Sequence, residues 1–513
     1  MLSNTKTISL DGLEGRIINV QVDASSGIPS WEIVGLANTS VKESKERIRV
    51  SIRNSGINLI WKKVIVNLSP ADIRKDGVSF DLPIAIGILM ANGFINAESS
   101  CINFSKTIFV GELSLDGKIN KVKGILPICI ETLKLGMDTI IVPKENEYEA
   151  SLIKGIRVYA VSNLKELIKF LSGMEKLKET KYQENILDMI PSYNIDYSEV
   201  KGQENAKRAL EISASGGHNC LLIGVPGSGK TMLAKRLCTI LPNINFEEKL
   251  EITKIHSIAG LIDNKVISTR PFRMPHHTIS INSLVGGGKI PKPGEISLAH
   301  RGVLFLDEFP EFKKATLESL RGPIEDKQII INRLHTSVKY PCNFMLIASM
   351  NPCMCGYYGT DRCRCTNEQI CKYLGRISGP MLDRIDIQVS VDNVDYKKIN
   401  NGNIETSEQI KKRVNNARKI QEERYKNEHI FCNSDLNPSL IEKYCKLDNR
   451  SRDILNSACN KMHLSMRCYD KIIKISRTIA DMEQKEQINE KHILEAIQYR
   501  SLDKKYFRLK GGV

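Results

Sequence analysis

Residues 224–231 read GVPGSGKT, and no other stretch constrains the chain so tightly. The pattern G-x-x-x-x-G-K-[ST] follows an apolar run, Asn219 to Gly224, and precedes a helical pattern, so it predicts a strand–loop–helix unit in an α/β domain. Small residues there let backbone N–H groups close on phosphates at a helix N-terminus. Gly224, Val225, Pro226, Gly227, Ser228 and Gly229 are the candidate cradle, Lys230 reaches the β and γ oxygens, and the Thr231 hydroxyl holds Mg²⁺. A glycine-rich turn that binds nothing is the plainer alternative, and the flanking strand and helix argue against it.

About 76 residues further on, VLFLDE (Val303 to Glu308) is an apolar strand ending in two carboxylates. The carboxyl edge of a parallel sheet would bring that pair beside the phosphates. Asp307 is the candidate for the Mg²⁺ shell, and Glu308 for orienting and deprotonating the attacking water. A third strand ends at Asn351 in LIASMNP, where an amide could position that water or read the terminal phosphate. Nucleotide hydrolysis is the chemistry expected.

With 513 residues, the chain is long enough for roughly three domains. The segment 1–172 alternates β-rich runs (Arg16 to Val22, Val64 to Asn67, Thr107 to Val110, Thr139 to Val142, Arg157 to Val161) with helical patterns such as Ser40 to Asn54. A polar stretch at 173–199 reads as a linker, 200–394 as the nucleotide-binding core, and 395–513 as a helical region. Its helices are expected near Thr406 to Asn427, Ser439 to Cys445, Asp453 to Cys459, Tyr469 to Met482 and Glu490 to Arg500. The formal charge is +15, from 74 Lys plus Arg against 59 Asp plus Glu. Residues 191–513 hold 50 of these bases and 37 of the acids, an excess of +13, which favours an anionic partner such as nucleic acid. MLSNTKTISL lacks the make-up of a secretory signal and no apolar run approaches bilayer length, so a cytoplasmic location without membrane partners is expected.

Longer blocks resemble one family. FRMPHHTIS (272–280), KPGEISLAHRGVLFLDEFPEF (292–312), LRGPIEDKQIIINR (320–333), NPCMCGYYG (351–359), ISGPMLDRIDIQV (377–389) and LSMRCYDKIIKISRTIADM (464–482) are similar to the YifB/ComM branch of the magnesium-chelatase clade of AAA+ ATPases. The resemblance implies ATP as the nucleotide. It also implies a multidomain α/β fold: a Lon-protease-like N-terminal domain, a P-loop AAA+ core with chelatase-type insertions, and a C-terminal helical lid. Position by position, Arg384 corresponds to an arginine finger acting on a neighbouring subunit's ATP, Asn351 to the first sensor and Arg467 to the second. A homo-oligomeric ring, a hexamer, follows from such a finger. The inserted loop Val285 to Glu295, with Lys289, and the hairpin Gln328 to Tyr340, with Arg333, correspond to elements aimed at a central pore and are the DNA-contact candidates.

The same resemblance implies a ring ATPase that translocates on DNA and drives branch migration during DNA uptake. The alternative is a chelatase-like or protein-remodelling ATPase without a DNA substrate. RKDGVSFDLPIAI (74–86) is similar to the segment bearing Lon's nucleophile, at Ser79. The matching lysine segment reads KGILP, with Leu126 or a neighbour in the lysine's place, so peptidase activity is not expected.

Of 14 cysteines, Cys353-x-Cys355 and Cys363-x-Cys365 put four thiols within thirteen residues. That density suits a tetrahedral structural Zn²⁺ site, with an iron–sulfur cluster or free thiols as the alternatives. Cys371 is expected on the following helix. His276 and His277 lack acidic or cysteine partners at useful spacing, and neighbours on an extended segment point apart, so a structural role is expected for them.

Overall fold

The computed structural model describes residues 1–513 except 37, 72–74, 76, 78, 183–192, 263–266, 289–290, 333–336, 393–404, 429, 503–505 and 507–513. The chain divides into two compact units. One comprises Met1–Met189, Lys249–Ile267 and Ile330–Tyr340; the other comprises Ile190–Glu248, Ser268–Ile329 and Pro341–Val513.

The first unit is built on a mixed sheet of β1 (Leu2–Asp11), β2 (Glu14–Ser25), β3 (Ser30–Val34), β4 (Lys63–Ser69), β5 (Thr107–Phe109), β6 (Thr139–Pro143) and β7 (Arg157–Val161). Their spatial order is β3-β4-β2-β1-β5-β6-β7. β1 and β2 form an antiparallel pair running from Leu2 opposite Asp23 to Asp11 opposite Glu14, whereas β5, β6 and β7 are parallel. Two helices supply one core: α1 (Thr39–Asn54), which is amphipathic, and α2 (Asp81–Ala91), DLPIAIGILMA, which has no polar face. A helix apolar all round belongs inside. Its close approach to β2 requires Gly87, where a Cβ would meet Val22 Cγ2 at 2.7 Å. Asp81 is buried at its start, and Arg47 of α1 donates Nε–H to it at 3.0 Å. Burial pushes that carboxyl up to about 6, against the pull of Arg47. The helices α3 (Ile125–Lys134) and α4 (Leu164–Leu171) belong to the same unit.

The second unit carries a parallel sheet of β8 (Cys220–Gly224), β9 (Phe272–Arg273), β10 (Val303–Leu306), β11 (Met345–Met350) and β12 (Ile387–Val391), in the order β9-β10-β11-β8-β12. β8, β10 and β11 are buried at every position, as parallel strands covered on both faces must be. The helices α5 (Glu204–Gly216) and α6 (Lys230–Ile240) pack on them. Next come α7 (Asn367–Leu374) and the C-terminal helices α8 (Ser407–Arg424), α9 (Pro438–Tyr444), α10 (Asn449–Met462), α11 (Met466–Met482) and α12 (Glu490–Gln498). A capping box, Thr406 with Gln409, starts α8. A buried network then fixes it to α11: Asp481 accepts from Arg424 at 2.9 Å, Arg477 at 3.0 Å and Asn433 at 2.9 Å. No helix among the described residues is long and apolar enough to cross a membrane.

Candidate active site

Parallel strands deliver their carboxyl ends to one edge, and β8, β10 and β11 end there at Gly224, Leu306 and Met350. Lys230 opens α6. Its Nζ donates to the carbonyls of Gly224 (2.8 Å) and Val225 (2.9 Å) and to Asn351 Oδ1 (3.2 Å). Burial lowers its pKa, opposed by the charge of Asp307. Thr231 Oγ1 donates to Asp307 Oδ2 at 2.7 Å, and Ser349 Oγ donates to the other carboxylate oxygen. The loop, both acidic residues and Asn351 thus share one edge.

The donor set fits a nucleoside triphosphate with Mg²⁺. Gly227 and Gly229 have φ of +79° and +92°, and no heavy atom stands within 4 Å of where a Cβ would project. Ser228 Oγ is buried with no hydrogen-bond partner among the described residues. An anionic oxygen would satisfy it. A hydroxyl beside a carboxylate, as in Thr231 and Asp307, is the oxygen donor pair that Mg²⁺ takes.

Glu308 adopts φ +53° and leaves its carboxylate 60% exposed, with Oε2 3.3 Å from His277 Nδ1. This corrects the expectation for the histidines: His277 does have an acidic partner, 31 residues away in sequence. Nor do the two rings point apart. Their centroids lie 4.1 Å apart with the planes tilted by 33°, because the chain turns at 276–279, where Ile279 N–H donates to the His276 carbonyl at 3.0 Å. The segment is anchored upstream by Arg273, which donates twice to Glu295 at 2.6 and 2.7 Å.

Arg384 does not bond to the P-loop or the acidic pair of its own chain. Its guanidinium donates to the carbonyls of Pro380 (2.6 Å) and Arg321 (3.2 Å) and pairs with Glu325 at 2.8 Å. Arg467 is exposed on the first turn of α11. Arg333 and Lys289 lie outside the described residues. The hairpin below Arg333, Gln328–Asn332 paired with Ser337–Pro341, sets Val338 against the β1–β2 turn at Gly12. Leu126, expected in the lysine's place, is fully buried in an apolar cluster.

The Sγ atoms of Cys353 and Cys355 lie 3.3 Å apart, those of Cys353 and Cys363 4.0 Å, and those of Cys355 and Cys363 3.8 Å. All four, with Cys365, fall within 4.8 Å of one another. Four Zn–S bonds of about 2.3 Å at tetrahedral angles place sulfurs about 3.8 Å apart. The set is compatible with a zinc site. Backbone N–H groups of Arg364 and Tyr357 pull the Cys355 thiol below the usual range, whereas burial pushes Cys353 up and Cys365 is raised as well. Cys371 sits half-buried on α7.

Three family models match: "Magnesium chelatase, subunit ChlI" over residues 196–399, "Subunit ChlI of Mg-chelatase" over 20–146, and "Magnesium chelatase, subunit ChlI C-terminal" over 404–500. Competence protein ComM of Haemophilus influenzae is 40% identical over 499 residues, 96% of each chain. The chain belongs to the YifB/ComM family of magnesium-chelatase-like AAA+ ATPases. YifB of Escherichia coli is 41% identical over 508 residues, 98% of each chain. Lon protease 2 of Bacillus subtilis is 23% identical over 198 residues, 37% of this chain and 36% of that protein. Membership of this family makes the chain an AAA+ ATPase, and the strand-end cluster is where ATP and Mg²⁺ would be held.

Ser349 was not singled out beforehand, and His277 was expected to have only a structural role without an acidic partner. Ser349 had a signal, since it lies two residues before Asn351 and strand alternation puts both on one side. His277 had none, because its partner comes from another strand.

Proposed function

We propose that this YifB/ComM-family ATPase assembles into a cytoplasmic ring, a hexamer, that couples ATP hydrolysis to translocation on DNA and remodels branched intermediates. The observation that carries the hydrolytic part is the convergence of Lys230, Thr231, Asp307 and Asn351 through direct hydrogen bonds, with Glu308 beside them in sequence. Lys230 and the glycine-rich loop would hold the phosphates, and Thr231 with Asp307 would hold Mg²⁺, which supplies neutralisation of charge on the β and γ oxygens. Glu308 takes the proton from the attacking water, and Asn351 orients that water or the terminal phosphate. The side chain of Glu308 is 60% exposed, so water reaches it.

Arg384 serves a neighbouring subunit. Its bonds to Glu325, Pro380 and Arg321 lie within its own chain and its side chain is 8% exposed, so reaching a neighbour's ATP requires it to leave them. Helices α8–α12 form the lid, and Arg467 reads nucleotide from α11. The first unit takes the Lon-like fold, with Ser79 lacking a lysine base, and the four cysteines hold Zn²⁺. The DNA partner is supported by the +13 excess of residues 191–513 and by the likeness to a competence protein. Lys289 and Arg333 carry the contacts.

The test is ATP hydrolysis with and without forked and four-way DNA, at stepped salt concentrations. DNA is expected to stimulate turnover, and the stimulation to fall steeply as salt rises. An unstimulated ATPase that fails to bind DNA at low salt would sink the DNA reading and favour a protein-remodelling or chelatase-like motor.

A further inference from the structure

We infer that the four-cysteine loop is a metal-set brace for the nucleotide cradle, so that metal loading at Cys353, Cys355, Cys363 and Cys365 governs how tightly this chain holds nucleotide. The inference rests on the zinc reading above and extends it from a structural ion to control of the ATP site.

The loop touches the cradle directly. Gly356, between the two cysteine pairs, is buried at φ +87° against Pro226 of GVPGSGKT. A Cβ there would meet both Pro226 Cδ and Cγ at 2.6 Å. Upstream, Cys353 follows Asn351 by two residues, and Asn351 accepts from Lys230 at 3.2 Å. Downstream, the chain after α7 returns to the same edge, where Arg376 pairs with Glu311 at 2.6 Å, three residues past Glu308. Both ends of the loop and its middle therefore bear on groups at the nucleotide site.

What holds the loop in that position is the cysteine set. Between Cys353 and Cys365 the sequence is CMCGYYGTDRCRC, with Met354, Gly359, Thr360, Asp361, Arg362 and Arg364 exposed. Such a segment buries too little apolar surface to offset the entropy of ordering it. Four thiolates closing on one soft divalent cation fix it, and the cation's binding energy then becomes ordering energy for the loop. With the loop fixed, Gly356 backs Pro226 and the cradle is pre-formed. Without the cation that backing is lost, and nucleotide has to order the cradle as it binds, at a cost in affinity.

The experiment uses the purified full chain. Zinc is measured by elemental mass spectrometry, and affinity for a fluorescent ADP analogue is measured in Mg²⁺ buffer before metal stripping, after stripping, and after adding back Zn²⁺. One zinc per chain is expected, with binding about tenfold weaker after stripping and restored by Zn²⁺. Cys363→Ser should behave like stripped protein. Gly356→Ala leaves every thiol in place and should keep its zinc while weakening nucleotide binding by a similar factor, so it carries the test even where the cysteine variant fails to fold. Well under one zinc in wild type overturns the metal reading and this inference with it. One zinc per chain, with affinity unchanged within about twofold by stripping and by Gly356→Ala, overturns the brace alone.

Discussion

His218 offers a prediction whose size can be worked out. It lies just before β8, 1% exposed, with Nε2 2.7 Å from Thr478 Oγ1 of α11 and Nδ1 3.8 Å from Asp386. Burial pulls its pKa from 6.5 down to about 4. Asp386 opposes that shift, and the charges of Lys474, Arg418 and Lys471 add to it. A folded-state pKa below the unfolded one means that the unfolded chain takes up the proton first as pH falls. Stability from the neutral ring is therefore complete above pH 6.5, declines between 6.5 and 4, and is lost below. At about 1.4 kcal/mol per pH unit, the fall amounts to about 3 kcal/mol. His218→Gln removes the titration. Urea unfolding followed by circular dichroism at 222 nm, at half-unit pH steps, should show the wild-type curve losing that amount relative to the variant across the window and running parallel to it elsewhere. Tryptophan emission is the wrong probe, because Trp31 and Trp61 both lie in the first unit. If the two proteins lose equal stability between pH 6.5 and 4, the buried neutral ring is refuted.

Three further outcomes are expected. Glu308→Gln should lower kcat by about 10² to 10³ with nucleotide binding intact, and Arg384→Ala should cost about 10³; mixing the two inactive proteins should recover measurable turnover, and none would argue against a finger acting in trans. His277→Ala should lower kcat about threefold at unchanged KM for ATP, since it frees one carboxylate oxygen of Glu308 and touches no phosphate-binding group; a change confined to KM would contradict this. Gly87→Ala should destabilise the first unit by about 1–3 kcal/mol through the collision with Val22, read by tryptophan emission during urea unfolding, and an unchanged midpoint would show that β2 yields.

The strands β8 and β10 of the parallel sheet were legible because they are short, apolar runs, and one strand of the mixed sheet was legible too. The expected run Val303 to Leu306 is β10 to the residue, and Arg157 to Val161 is β7. The first strand was not legible. In LSNTKTISLD the inward positions carry Ser3, Thr5 and Thr7, all buried, where an apolar pattern would be sought. Their polarity has a reason that sits elsewhere in the chain: Ser3 Oγ donates to the Gly87 carbonyl at 2.7 Å and Thr5 Oγ1 to that of Pro83 at 2.9 Å, both on the buried helix α2. The acidic partner of His277 was missed for a related cause, since neither Glu308 nor the turn that brings its ring to His276 is written in its neighbours. Local pattern reports burial and turns well. It does not report which polar group meets which across a sheet.

Residues 351–386, the single connection from β11 to β12, show why the site behaves as a unit. They begin at Asn351, which bonds to Lys230, pass through the cysteine loop packed on Pro226, return through Arg376 to Glu311, and reach Arg384. Two residues later Asp386 meets Lys471 of α11 at 2.8 Å; burial works to raise that carboxyl, but Lys471 and His218 bring it down to about 2. The carbonyls of Asp383 and Ile385 also accept from Lys471, and Asn219, at the foot of β8, donates its side-chain amide to the Arg384 carbonyl at 3.0 Å. The segment thus touches the P-loop at Lys230 and Pro226, the acidic edge at Glu311, and the C-terminal helices through Asp386 and Lys471. Packed segments of this kind move between discrete arrangements and do not deform smoothly, so in the proposed ring a change at Asn351 would shift the segment that carries Arg384 as one piece.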